Sequence, residues 1–455
     1  MMKLAVIGGG GVRSMFLAKS LAQSAKRLGI DTLAFMDNDP EKLRIFGAMA
    51  KKIAMLIAPE LTFVCTTDAK EALTDADYVI TTIRVGGDDM RVRDERIALD
   101  LGLLGQETTG AAGFSFAMRS IEALIGYCEM ARQYCKPGVK VFNFTNPAGL
   151  VSQALRDKGY NFTFGICDAP SSMLHMIADY KGVAPERVKG EIYGLNHLSF
   201  FNSITVDGKE ILDELIADDG AYAHTDMRYF DKELLIKKRL VPNEYLYYYY
   251  SREKAVANIL NAQETRGEQI ARINKLMLKE LADVDIENDF DTALAIFDRC
   301  YGMRENSYMA SETGVKRDKE WHFNPFSEDF GGYASVALKY IEIIQSGVGD
   351  SMILCAPNNG ALPLLADDDV VEMTCDITPE GAFPHHYTRF DEDALELIRR
   401  MKRYERQAAR AILTKNRDLA VSALMLHPLV ESYSLARQLV DSYIALNKAF
   451  SDGWK

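Results

Sequence analysis

The chain has 455 residues, a formal net charge of −12, 48% hydrophobic and 26% charged residues. That length exceeds what one hydrophobic core holds, so two closely joined domains are expected, in a composition ordinary for a globular protein. The acidic balance argues against nucleic acid as a partner, because phosphate backbones select basic surfaces, and no apolar run reaches the length of a membrane span.

From Lys3 to Gly8 the chain reads as a strand that runs directly into a glycine turn, leaving no room for a secretory signal. A helix is predicted over Met15–Leu28, a strand over Thr32–Asp37 and a helix over Pro40–Ile57. Strands follow at Ala76–Ile83, Val139–Asn143 and Thr163–Cys167. Short apolar runs alternating with helical patterns imply parallel βαβ units. Beyond about Tyr193 the rhythm changes. A strand at Leu198–Val206 precedes helical patterns at Asp231–Tyr250, Glu268–Leu281, Ala334–Gln345 and Phe390–Lys402, and a long run from Tyr404 to Phe450. A lone strand covers Ser351–Ala356. The expected fold is α/β: a Rossmann-like parallel sheet over 1–195, joined to a mostly helical α+β domain over 196–455. The seven cysteines (Cys65, Cys128, Cys135, Cys167, Cys300, Cys355 and Cys375) lack framework spacing. They read as free thiols in a reducing, cytoplasmic compartment.

Gly8 and Gly10 stand where the first strand turns into the first helix. Glycine there allows the tight turn and lets backbone N–H groups approach a pyrophosphate at the helix N-terminus. The usual third glycine is absent, with Arg13 or Ser14 near its place. Asp37 closes the second strand, where a carboxylate accepts from ribose hydroxyls and disfavours a 2′-phosphate, so NAD is expected over NADP. The bland alternative is a glycine turn without a cofactor.

Four further polar segments lie at the ends of predicted strands, where open α/β sheets bind ligands. They are Gln106–Gly110, Asn143–Gly149, Gly165–Pro170 and Tyr193–His197. A thiolate from Cys167 and an imidazole from His197 could share a divalent ion with positions left open for substrate. Spacing alone equally allows a packed cysteine and a satisfied histidine.

Taken in order, these segments resemble the family 4 glycoside hydrolases. The resemblance rests on Ile7-Gly8-Gly9-Gly10, Arg84-Val85-Gly86-Gly87, Arg93-Asp94-Glu95, Gln106-Glu107-Thr108-Thr109-Gly110 and Asn146-Pro147-Ala148-Gly149. It continues through Cys167-Asp168, Pro170, Tyr193-Gly194-Leu195-Asn196-His197, Tyr245-Leu246, Tyr248-Tyr249, Asn359-Gly360 and His427-Pro428-Leu429. It implies an NAD- and metal-dependent glycosidase with a lactate/malate dehydrogenase-like architecture, unlike the two-carboxylate scheme of other glycosidases. Cys167 and His197 would hold the metal, Mn²⁺ in most relatives, and Gly8, Gly10 and Asp37 the NAD. Tyr245 would be the catalytic base, Arg91 and Asn146 would bind substrate, and Glu107 would lie near the active site. The bland readings are a surface charge for Arg91 and one ring of an aromatic patch for Tyr245.

The implied chemistry oxidises sugar C3, which makes the C2 proton acidic enough for Tyr245 to remove. Elimination at C1, addition of water and re-reduction at C3 complete the cycle. Asp168 matches the acid proposed in relatives acting on 6-phospho-α-glucosides, whereas the Asn146–Gly149 and Gln106–Gly110 segments look closer to the β-acting branch. The expectation leans to a 6-phospho-β-glucosidase, with α-acting or non-phosphorylated substrates as alternatives. The stretch Arg304–Glu312, with Trp321 and His322, matches no familiar phospho-glucosidase segment. It reads as a branch marker or as a loop. The implied partner is a small-molecule glycoside, with a homodimer or homotetramer as the assembly. Two other classes stay open: a 2-hydroxy acid dehydrogenase, against which stands the lack of an Asp-x-x-x-His pairing, and a non-catalytic NAD-binding regulator.

Overall fold

Leu4, Ala5, Val6 and Ile7 are all fully buried, as a parallel strand covered on both faces requires. They belong to β1 (Met2–Ile7), which pairs in parallel with β2 (Ile30–Met36) on one side and β4 (Tyr78–Thr81) on the other. Beyond β2 lies β3 (Thr62–Thr66), and beyond β4 lie β5 (Lys140–Asn143) and β6 (Thr163–Gly165), all parallel. The computed structural model describes residues 1–315, 320–327 and 334–455.

A second sheet is built from β7 (Val188–Leu195), β8 (Leu198–Val206), β9 (Lys209–Glu210) and β10 (Val241–Pro242). The chain then returns to the first sheet with β11 (Asp350–Pro357), β12 (Val370–Thr378) and β13 (Gly381–Pro384). These three strands run antiparallel beyond β6, so the sheet order is β13-β12-β11-β6-β5-β4-β1-β2-β3. The α/β class and its parallel Rossmann-like sheet match the sequence reading. The antiparallel extension by residues after 350 lay outside it, because pairing partners far apart in sequence leave no local signal.

Among the helical segments, the pattern over Asp231–Tyr250 does not form one helix. A helix spans Lys232–Lys238 and stops at Arg239 in a left-handed cap. Pro242 cannot continue a helix and instead enters β10 against Phe200. Phe390–Lys402 and the run after it also divide differently: one helix covers Glu392–Thr414, then others cover Arg417–Leu426 and Tyr433–Asn447. The break comes at Lys415, left-handed at φ 53°, with Asn416 capping the next helix through the Leu419 N–H. Strands β3, β7, β12 and β13 and the helices Gly87–Leu99, Ala112–Tyr134, Ala148–Asp157, Ala169–Lys181 and Phe290–Asn306 are among the elements the sequence reading had not assigned.

Candidate active site

At the carboxyl edge of the parallel sheet, the chain leaves β1 and β4 in opposite directions, the switch point where such sheets bind ligands. Gly8 turns there with φ 100°, and a Cβ on it would sit 2.7 Å from the Thr82 carbonyl oxygen just after β4. A Cβ on Gly10 would meet the Asp37 carboxyl group at 2.9 Å. The Gly10 N–H donates to Asp37 Oδ2 at 2.9 Å and the Asp39 N–H to Oδ1 at 3.0 Å. Glycine is therefore required at Gly8 by contact and by conformation, and at Gly10 by contact. The helix that follows, Ser14–Leu28, has no side-chain cap and no acid in its first turn. The positive end of its dipole, unopposed by an acid or a side-chain cap, suits a pyrophosphate, so the residues present fit a dinucleotide. Burial pushes the Asp37 carboxyl up, and the two N–H donors act against it.

Cys167 lies two residues beyond β6, and His197 on the tight turn between β7 and β8. Their Sγ and Nε2 atoms are 3.3 Å apart. Bonds of about 2.3 Å to sulfur and 2.1 Å to nitrogen, at roughly 90–110°, separate the two donors by about 3.1–3.6 Å, so the pair has the span of one edge of a metal site. Burial depresses His197 to about 4, which keeps the imidazole neutral and able to ligate. Burial, with Glu372 and Asp168, holds the Cys167 thiol well above the usual range, so a cation is what would make it a thiolate. Among the described residues no third His, Cys, Asp or Glu joins the two. The donor set fits a divalent ion with open positions.

The turn is held from outside. His197 has φ 127°, a conformation that neighbours must enforce. Asn196 Nδ2 and Ser199 Oγ each donate to Glu372, at 3.0 Å, on β12 of the main sheet. Tyr245 reaches the site because β10 pairs with β8 and the Asn243 N–H donates to the Ser199 carbonyl at 2.9 Å. Its ring stacks on His197 with centroids 4.1 Å apart and planes inclined by 2°.

Charged groups line the same cavity, of about 1880 Å³, as the glycine turn and the Cys167–His197 pair. Arg91 is buried and not a solvated charge: its Nε donates to Glu95 at 2.8 Å and its NH1 lies 3.2 Å from Glu107. Burial raises the Glu107 carboxyl, but Arg84 and Arg91 outweigh it and hold the pKa at about 2. Asp168 does not cap the helix it begins. Burial raises its carboxyl, opposed by Arg13. Asn146 lines the cavity as well, so every expected site residue is brought to one place. The sequence reading missed Arg266 and Arg304. Arg304 bonds Asn274 at 3.0 Å, while its buried Nε has no partner among the described residues. Burial, with Arg13 and Arg266 nearby, lowers Arg304 to about 10. Arg266 bonds Gln269 at 2.7 Å, Ser307 at 2.9 Å and the Arg304 carbonyl at 2.8 Å. Arg304 was part of the unassigned 304–312 stretch, but no spacing tied it to Arg266.

Residues 3–183 match the model of family 4 glycosyl hydrolases, and residues 192–430 match that family's C-terminal domain. The chain belongs to glycosyl hydrolase family 4. Within the family it is 30% identical to a 6-phospho-beta-glucosidase of Escherichia coli, over 96% of this chain and 94% of the relative. It is 28% identical to the maltose-6'-phosphate glucosidase MalH of Clostridium acetobutylicum, over 98% and 97%. The 6-phospho-beta glucosidase of Thermotoga maritima, solved with manganese, NAD⁺ and glucose-6-phosphate, superposes with TM-score 0.82 at 27% identity, over 99% of this chain and 100% of that one. The expected dehydrogenase architecture is present too: malate dehydrogenase of Plasmodium falciparum gives a TM-score of 0.50 at 14% identity, a likeness of fold alone. Family 4 membership makes the chain a glycosidase and sets aside the hydroxy acid dehydrogenase and the non-catalytic regulator.

Proposed function

We propose that this chain is a cytoplasmic 6-phospho-β-glucosidase that acts through transient oxidation at C3, with NAD and Mn²⁺ or another divalent ion as its cofactors. The observation that carries this reading is the Cys167–His197 pair, with Tyr245 stacked on it, in one cavity with the glycine turn and Asp37. When bound, NAD would supply a hydride acceptor and the divalent ion a Lewis acid. Gly8, Gly10 and Asp37 orient the dinucleotide. Cys167 and His197 would hold the ion. Tyr245 accepts the C2 proton, while Arg91, held by Glu95 and Glu107, and Asn146 position the sugar.

A phosphate at C6 is supported by Arg266 and Arg304. Their hydrogen bonds above go to neutral acceptors, with Glu305 near both and Glu312 near Arg266, and a dianion would further relieve their crowding. The solved relative bound glucose-6-phosphate. The β preference draws on the E. coli relative. Asp168 supports an α-acting second reading, since a buried carboxyl free of capping can protonate the leaving oxygen. Free thiols at all seven cysteines suit a reducing compartment, and no helix among the described residues is long and apolar enough to cross a membrane.

The test uses four p-nitrophenyl glucosides, α and β, with and without a 6-phosphate, each assayed with NAD⁺ and Mn²⁺, without NAD⁺, or with EDTA. Release of p-nitrophenol from the 6-phospho-β compound that needs both cofactors and accumulates no NADH is expected. Preference for the α compound would move the assignment to the second reading, and turnover indifferent to NAD⁺ and EDTA would overturn the mechanism.

A further inference from the structure

The stretch Arg304–Glu312 is neither a surface loop nor remote from the chemistry. The helix Phe290–Asn306 ends there, and the chain folds back through Met309 in a left-handed conformation, φ 58°. Tyr308 therefore points at the segment carrying Tyr245. The two hydroxyl oxygens are 3.2 Å apart, and the Tyr308 hydroxyl also reaches Glu244 Oε1 at 2.7 Å.

Three further bonds lock the two segments together. The Tyr248 hydroxyl reaches Met309 Sδ at 3.3 Å, the Tyr247 hydroxyl donates to the Glu312 carbonyl at 3.1 Å, and Asn258 Nδ2 donates to the same carbonyl at 2.9 Å. Arg266 lies over the Tyr308 ring, 5.8 Å from its centroid. The approach of Tyr308 is thus built into the scaffold.

To accept the C2 proton Tyr245 must act as the phenolate, and stacking on His197 sets the plane of its ring but leaves the oxygen free to shift within that plane. A partner at 3.2 Å selects one position. We propose that Tyr308 is a positioning residue for Tyr245: its hydroxyl donates to the Tyr245 phenolate and holds that oxygen where it accepts the sugar C2 proton, and Glu244 holds Tyr308 in turn. This rests on the reading of Tyr245 as the base. Without Tyr308, the phenolate loses that donor and is no longer fixed against C2, so turnover slows without loss of binding. Misplacement of a reacting group on this scale costs about 10- to 100-fold in rate.

The experiment compares full-length Tyr308→Phe, Glu244→Gln and Tyr245→Phe, each loaded with NAD⁺ and Mn²⁺, on the p-nitrophenyl glucoside the parent turns over. For Tyr308→Phe, kcat is expected to fall about 10- to 100-fold at nearly constant KM. The isotope effect with C2-deuterated substrate should rise, while Mn²⁺ affinity by electron paramagnetic resonance stays at the parental value. Glu244→Gln, which keeps every ring in place, should shift kcat and the isotope effect the same way by a smaller factor. Parental kcat and isotope effect in Tyr308→Phe, beside an inactive Tyr245→Phe, would overturn this inference and leave the base assignment standing. Turnover retained in Tyr245→Phe would overturn both. A fall in kcat matched by an equal loss of Mn²⁺ affinity in both partner variants would make Tyr308 a structural support and overturn its positioning role.

Discussion

Gly8 is set between two demands, a positive φ and a carbonyl 2.7 Å from where a Cβ would stand. Gly8→Ala should therefore cost about 1–3 kcal/mol and weaken NAD⁺ binding. A parental melting temperature in Gly8→Ala would count against this. Glu107 makes a different kind of prediction. Its folded carboxyl titrates at about 2, below the ordinary value of 4.5. Its ion pairs with Arg84 and Arg91 therefore add stability above about pH 4.5, and that contribution is lost as the pH falls toward 2. Glu107→Gln should lower stability by about 3 kcal/mol near neutrality, because it leaves buried guanidinium charge less compensated. Urea midpoints of parent and variant should converge between pH 4.5 and 2. A gap independent of pH would remove the ion pairs as its cause.

The hairpin of β7 and β8 carries His197 but does not fix it alone. Asn196 and Ser199 hang on Glu372 of β12, and the Ile192 N–H donates to Thr374 Oγ1 on the same strand at 3.1 Å. Glu372→Ala removes two buried hydrogen bonds and should cost about 2–3 kcal/mol. It should also weaken Mn²⁺ binding about 10- to 100-fold, as loss of groups that orient a ligand does. Calorimetric titration with Mn²⁺ reads the second effect, and unchanged affinity would show that the turn holds its own shape. At this scale the sequence reading was uneven. The β1 glycine turn and first helix are local and were legible. The helix expected over Asp231–Tyr250 broke at Arg239 and Pro242 because pairing of β10 with β8 outweighed helical periodicity.

Across the whole molecule, cofactor binding and folding are linked. A ligand that binds only the folded chain stabilises it by about 2.7 kcal/mol at a hundred times its dissociation constant. NAD⁺ should accordingly raise the melting temperature by several degrees, and NADP⁺ by less if, as proposed, Asp37 faces the ribose. Thermal denaturation with each dinucleotide, with and without Mn²⁺, checks this, and an equal shift from both would remove Asp37 as the discriminator.

The sequence by itself determined the parallel sheet and the glycine turn, and its resemblance to family 4 singled out Cys167, His197, Tyr245, Asp168, Arg91 and Asn146 as candidates. Strand periodicity and glycine conformation are local, and ordered motifs survive wherever chemistry needs the same side chains. Only the tertiary structure decided which groups meet. The 3.3 Å approach of Cys167 to His197, the stack of Tyr245 and the hold of Glu372 each depend on strands paired across long separations. The cationic pair Arg266–Arg304 and the Tyr308–Tyr245 contact were invisible for the same reason. Helices whose own periodicity records only their buried faces bring these residues together, and their polar ends meet because of how those faces pack.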